Sequence, residues 1–382
     1  MAITPKKQAR RNFMKGALAA AVLALGACTT SPAPRGPAPS EPATAPTPAP
    51  TPVAERNGVA VLVPLTGDNQ AVGNSIANAA KMALLDSEVD TLRLTIYDTA
   101  GGAEAAARQA LAEGNKLILG PLLSENVRAV GPIAAAADVP VIAFSNDEGV
   151  ADDNVYIMGF TPTQSIARSV AFAADNGVST FAGLIPNSLY GQRAINSLIV
   201  SVEDHDGRLA ALETYERSRS ALEAAIGKIN ARDGIDAVVI GDGGQIAKLV
   251  APRLTHGGWK IGNELWAAER DLGQTAALRG AIYSAVPDGR FQTMSNRYRS
   301  RYGNAPYRLS SLGYDAVLLA ARLSRDWESG GDFPTRLLRA DDGFGGVDGI
   351  FRFEDNVAIR ALEVRRVTPG GTEILDPAAR AF

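Results

Sequence analysis

From Gly58 onward the chain alternates short β-branched runs with longer stretches of helical spacing, and this alternation limits its fold more than any other feature. Gly58-Val59-Ala60-Val61-Leu62-Val63-Pro64-Leu65 has the continuous apolar character of a strand buried on both faces. In residues 73–85, Ile76, Ala80, Ala83 and Leu84 share one helical face. The spacing then predicts strands over 92–98, 116–121, 139–144 and 155–158, with helices over 103–112 and 124–136 between them. The pattern restarts with helices over 165–176 and 190–204, and strands over 180–185, 237–240, 265–268 and 281–285. Helices over 291–302 and 309–323 follow, then a strand-rich tail at 349–353, 361–367 and 372–375. This βαβα order predicts parallel sheets with helices on both faces. Two such series predict an α/β protein of two doubly wound parallel-sheet lobes with a cleft between them.

The N-terminus has a different character. Arg10-Arg11-Asn12-Phe13-Met14-Lys15 precedes an Ala/Leu-rich run from Ala17 to Leu25, and then Leu25-Gly26-Ala27-Cys28. A basic region, a short apolar run and small residues before a cut are the parts of a secretory signal. The segment resembles a lipoprotein signal peptide with a lipobox, which implies cleavage after residue 27 and lipidation of Cys28, the single cysteine of the chain. Arg-Arg-x-Phe-x-Lys also resembles a twin-arginine export signal; a positively charged start for ordinary Sec export accounts for the same residues. The apolar run is well short of the roughly 20 residues of a membrane span, so the lipid is the expected membrane attachment. Thr29 follows the cysteine where an inner-membrane retention signal would place Asp, which favours the outer membrane. Residues 31–54 are Pro, Ala, Thr and Ser with almost no apolar bulk and read as an extended tether.

Charge separates along the same line. Of 38 basic and 41 acidic residues, residues 1–54 hold six basic and one acidic, so the remainder is acidic by about eight. A nucleic-acid binder has the opposite sign. With no thiol beyond Cys28 there is no disulfide and no cysteine metal site. His205 and His256 lie far apart without ligand-like spacing and read as surface or cap residues. Neither accompanies a recognisable nucleophile motif, and no GxxxxGK[ST] phosphate loop is present. Asp147-Glu148, Asp152-Asp153 and Asp341-Asp342 resemble cation sites only in charge and read as solvated loop acids. No catalytic residue, metal site or cofactor is expected.

Several pieces match a known family in order. They are Val61-Leu62-Val63-Pro64-Leu65-Thr66-Gly67, Tyr97-Asp98-Thr99, Gly120-Pro121-Leu122 with Ser124, Val139-Pro140-Val141-Ile142-Ala143-Phe144-Ser145, Tyr190-Gly191, and Gly313-Tyr314-Asp315-Ala316. Together they resemble the type I periplasmic binding proteins of the leucine/isoleucine/valine receptor superfamily. The lipobox, the Pro-rich tether, Ala143-Phe144-Ser145-Asn146 and the run Phe344 to Phe353 narrow the likeness to penicillin-binding protein activator lipoproteins of alphaproteobacteria. That family is similar to the C-terminal domain of a larger outer-membrane activator of peptidoglycan synthases, whose helical-repeat domain stands where this chain has its tether. The resemblance implies the type I periplasmic binding protein fold. One lobe is expected over 57–161 plus 290–342 and the other over 162–289 plus 343–382, with residues 28–56 as lipidated cysteine and tether. Hinge crossings are expected near Thr161, Arg290 and Gly343.

In open α/β sheets ligands sit beyond the carboxyl ends of strands. Ser124 follows Gly120-Pro121, and Ser145 and Asn146 follow the strand at 139–144. Helix N-termini beside them would favour a carboxylate. From the second lobe Tyr190 is placed to cover a ligand and Glu269 to meet an ammonium, which suits an amino acid or small peptide. The same serines and Asn146 serve equally as helix caps. Two functions follow: a non-catalytic envelope regulator that binds a peptidoglycan synthase or other envelope protein, or a solute receptor feeding an ABC transporter.

Overall fold

A computed structural model describes residues 55–382; the expectations for the signal, Cys28 and the tether lie outside the described residues. The first lobe opens with β1 (Asn57–Val63), buried at every position, followed by α1 (Gln70–Asp86), β2 (Leu92–Asp98), α2 (Ala103–Ala112), β3 (Asn115–Leu119), α3 (Ser124–Ala135), β4 (Val141–Ala143) and β5 (Val155–Ile157). The chain then enters the second lobe through α4 (Pro162–Asp175), β6 (Thr180–Pro186), α5 (Leu189–Asp204), β7 (Arg208–Tyr215), α6 (Arg219–Asn230), β8 (Ala237–Ile240), α7 (Gly244–Val250), β9 (Trp259–Gly262) and β10 (Ile282–Ala285). It returns through α8 (Gly289–Tyr302) and α9 (Ser310–Leu323). The tail comprises β11 (Phe344–Gly346), β12 (Gly349–Glu354), β13 (Val357–Arg360), β14 (Glu363–Thr368) and β15 (Gly371–Asp376).

The strands form two sheets, ordered β11-β12-β13-β5-β4-β3-β1-β2 and β15-β14-β10-β9-β8-β6-β7. Each has a parallel centre, as the alternation predicts, and an antiparallel margin built by the tail. Helices cover both faces of each sheet: α1 and α9 pack one side of the first and α2 and α3 the other, while α4 and α5 face α6 and α7 across the second. All four apolar cores draw on residues from Val59 onward, and the described residues belong to one compact unit.

Two expectations change. The tail does not belong wholly to the second lobe. Strands β11–β13 complete the first sheet, where Val357 pairs with Ile157 and the Ile157 amide donates to the Asn356 carbonyl. The third crossing therefore falls at Ala361-Leu362, not near Gly343. Aromatic packing accounts for the difference: Phe344, Phe351 and Phe353 are buried in the first core, and Phe353 meets Tyr156 edge-on. The second change is at 265–268, expected as a strand. Asn263 caps a 3-10 turn there by accepting the Leu265 amide, and the strand is Trp259–Gly262. Gly262 permits the turn, since a Cβ there would lie 2.2 Å from the Trp266 ring.

Replacing the fully buried Phe351 by Ala is expected to cost about 3–5 kcal/mol. Ile374→Ala on β15, 57% exposed, should stay within about 0.5 kcal/mol of wild type. Urea denaturation of the two variants side by side checks the assignment of the tail.

Candidate functional site

The carboxyl ends of the strands bring the candidate residues to the gap between the lobes. Asp98 ends β2 and accepts the Leu65 and Ala100 amides and the Thr66 hydroxyl. Those amide bonds hold its carboxyl below the ordinary range and shape the turn after β1. Gly120 ends β3 with φ +95°, its α-carbon against the Leu62 carbonyl at a place where a Cβ would lie 2.2 Å from that oxygen. Ser124 opens α3, but the cap position belongs to Leu123, which makes no side-chain capping bond.

After β4, Ser145 is buried and its Oγ accepts the Asp147 amide at 3.1 Å. Asn146 is exposed. Ser145 thus supports a turn whose working side chain is Asp147, a residue first read as a solvated loop acid. Asp147 is 4% exposed and takes three groups. Arg128 on α3 donates to Oδ2 at 2.7 Å; Arg193 on α5 donates to Oδ1 from Nη2 at 3.1 Å and from Nε at 3.2 Å; and the Gly149 amide donates to Oδ1 at 3.1 Å. Arg193 comes from the second lobe, so this carboxylate clasps one lobe to the other. Thr163 on α4 adds a second tie, donating to Glu148 at 2.5 Å.

Tyr190 reaches the gap as expected. Its hydroxyl donates to Glu264 Oε1 at 2.8 Å, and the Ser165 hydroxyl donates to Glu264 Oε2. Burial raises the Glu264 carboxyl, although these two bonds pull it down, and burial with the Glu264 charge pushes the Tyr190 phenol up. Glu269 is elsewhere engaged: it accepts Gln245 at 2.6 Å and Lys248 at 3.2 Å, so its carboxylate already has an ammonium from its own lobe. Glu264, five residues earlier, is the carboxylate beside Tyr190. The stretch at 265–268 is a 3-10 turn and the strand before it ends at Gly262, which puts Asn263-Glu264 at the strand end, while Glu269 lines a separate interlobe space with Phe291 and Arg365.

Facing Glu264 from the first lobe are Phe160, Arg308 and Arg360, around a cavity of about 40 Å³. Arg360 is buried, donates to the Met158 carbonyl at 2.7 Å and stacks on Phe160 and Phe351 at 5.0 and 5.1 Å. Arg308 lies 2.6 Å from Asp348 and 4.1 Å from the Phe291 ring centroid. Asp315 on α9 accepts the Val347 and Asp348 amides. Burial, and then the Asp348 charge, raise its carboxyl to about 7. At the same hinge Asp288 receives Arg365 of β14 at 2.5 Å. No motif marks Asp147, Arg193, Arg308, Arg360 or Asp348 in the sequence, because their partners lie tens to hundreds of residues away. The two histidines are caps: each ring nitrogen meets a helix-end carbonyl, of Ser201 and of Ile229.

A family model described as periplasmic binding protein matches residues 58–372. An uncharacterized protein of Rickettsia prowazekii (strain Madrid E), RP748, is 28% identical over 174 residues, which cover 45% of this chain and 47% of that protein. The penicillin-binding protein activator LpoA of Photobacterium profundum is 27% identical over 183 residues, 46% of this chain and 29% of that one. The chain thus spans under half the length of the curated relatives it matches. Among solved structures, a putative branched-chain amino acid ABC transporter from Rhodospirillum rubrum superposes with TM-score 0.72 at 18% identity, covering 84% of this chain and 100% of that one. The two-lobed α/β fold is that of the type I periplasmic binding proteins.

The raised Asp315 carboxyl sets a pH dependence. The folded form holds a proton that the unfolded chain, with an ordinary carboxyl near 3.9, has released. The stability this contributes is complete below about pH 4 and is lost as pH rises through about 7. Asp315→Asn should therefore flatten the fall in Tm between about pH 5 and 7.5. Glu264, raised in the same direction, leaves a residual slope of the same sign. Thermal melts of both proteins across that window check it.

Proposed function

Because the chain belongs to the periplasmic binding protein family, we propose that it is a non-catalytic binding protein of the cell envelope that works through a protein partner, as a regulator of peptidoglycan synthesis. The observation that carries this reading is the use of the cleft by the protein's own side chains. Where a ligand carboxylate would meet the end of β4, Asp147 already pairs with both Arg193 and Arg128. Where an ammonium would meet the second lobe, Glu264 already accepts Tyr190 and Ser165. The hinge cavity of about 40 Å³ has the volume of a water or so, against about 300–1,000 Å³ for ligand pockets. The partial likeness to a penicillin-binding protein activator supports the envelope partner. Attachment through a lipid on Cys28 to the outer membrane belongs to the same proposal.

A solute receptor for an amino acid or small peptide is the second reading. The likeness to the putative branched-chain amino acid ABC transporter from Rhodospirillum rubrum favours it. So does a second interlobe space of about 500 Å³ between α8 and the tail, lined by Phe291, Arg299, Tyr283 and Arg365.

Titration calorimetry of residues 53–382 with pooled amino acids and cell-wall peptides separates the two. The envelope-partner reading expects no saturable heat, and a saturable signal would establish the receptor instead. Arg193→Ala tests the clasp. It removes one of two arginines from a buried carboxylate, and should lower stability by about 1 kcal/mol after allowance for its partial exposure. It should also increase the radius of gyration in solution scattering. An unchanged scattering profile would mean that the clasp does not hold the lobes together.

A further inference from the structure

The second lobe carries a groove that shares no lining residue with either interlobe space. It lies between α6 and α7 and encloses about 310 Å³. Leu222 and Ile226 from α6 and Ile246 and Leu249 from α7 make its walls apolar. Leu249, in the middle of this surface, is 50% exposed. Tyr215 is buried at the end of β7 and anchored by its hydroxyl to Asp242 at 2.6 Å, so the groove is braced from below.

The rim is basic in an acidic protein. Arg217, Arg219 and Arg253 border the groove; Arg217 pairs with the buried Asp242 at 3.2 Å and Arg219 with Glu223, the acid of the rim. The Arg217 and Arg219 side chains are 68% and 83% exposed. Arg219 and Glu223 form an i,i+4 pair at 3.1 Å, but exposed pairs of this kind contribute little, so the guanidinium exchanges partners readily. An apolar floor flanked by arginines is the usual make-up of an interface centre.

We propose that this groove docks an acidic amphipathic helix of a partner protein. Its apolar face would enter between α6 and α7 and its carboxylates would meet the three arginines. Both walls are helices whose backbone groups bond internally, so recognition runs through side chains at helical spacing, not by strand addition. At about 1.5 Å per residue, the 12 residues of α6 offer roughly three turns of contact. The chain's own Pro-rich segment is a poor occupant, since residues 29–54 contain one acid, one base and no Leu, Ile, Phe or Met. The inference rests on the envelope-partner reading and names the surface that serves it.

The test uses residues 53–382, which carry all four cores, and a fluorescein-labelled peptide about four turns long. Leucines at i, i+4 and i+7 form one face of the peptide and glutamates the other; a twin has lysine for glutamate. Anisotropy at low salt should show the glutamate peptide binding about ten-fold more tightly than its twin. Leu249→Ser should weaken it about five-fold or more, and the double variant R219E/R253E should reverse the preference. Equal binding of both peptides, or binding of neither, overturns the groove. Self-association that Leu249→Ser abolishes would assign the surface to a second copy and overturns it also. A photocrosslinker placed at Leu249 and, separately, at Leu85 on the first lobe distinguishes this failure from that of the parent reading. A defined envelope adduct from Leu85 alone discards the groove and keeps the partner; no adduct from either position discards both.

Discussion

Four ionisable side chains meet at the junction of the lobes, and the arrangement of the rest depends on them. Asp315 lies under the β11–β12 turn, Asp348 is in that turn, Arg308 precedes α9 and Arg360 closes β13. Asp315, Asp348 and Arg360 are almost inaccessible to water. Buried charge of this kind is tolerable only when every member has a counter-charge or a polarisable face, and removing one leaves the others uncompensated. The Asp348 charge adds to burial in disfavouring ionisation of Asp315, and the Arg360 guanidinium offsets part of this. Phe160 and Phe351 complete the cluster by offering their faces to Arg360. The cluster joins α9, the tail hairpin and the end of β5, which are the elements that border the crossings.

From that junction the gap between the lobes opens as a surface already furnished with partners. Arg365 of the second lobe reaches Asp288 at the head of α8, and Arg193 reaches Asp147. Both ties pair a partly exposed group with a largely buried one, so water competes at only one end. Such ties link the lobes. They also lie just past the carboxyl ends of β4 and β10, where open α/β sheets place ligands. That is why the fold alone does not decide between a receptor and a scaffold, whereas the side chains in the gap bear on it directly.

Much of the fold was legible because its signal is local. Strand 92–98 and helix 103–112 have the bounds that the apolar spacing predicts. The stretch from 208 to 230 yielded no element in the sequence reading for different reasons. β7 is an edge strand, mostly half-buried, written in Leu, Ala and Glu, which prefer helix; its state is set by pairing with β6. In α6, Leu222, Ala225, Ile226 and Ile229 carry helical spacing and bury one face of the helix. The site was less legible. Tyr190 was found because Tyr-Gly follows a strand, but Asp147 was discounted because an acid in a loop is ordinarily solvated, and nothing nearby in sequence announces Arg193. Glu264 is hidden by a shift of one element: the apolar run at 265–268 reads as a strand, whereas the Trp266 ring folds back over Gly262 and the strand ends there.

The division of the tail also bears on synthesis of the chain. Residues 344–360 supply the edge of one sheet and residues 363–376 the edge of the other. Neither sheet can be completed while the ribosome is still translating the helices α8 and α9, since both margins follow them in the chain. The nascent polypeptide therefore carries two unfinished sheets, each with an open edge strand, until residues 344–376 have emerged.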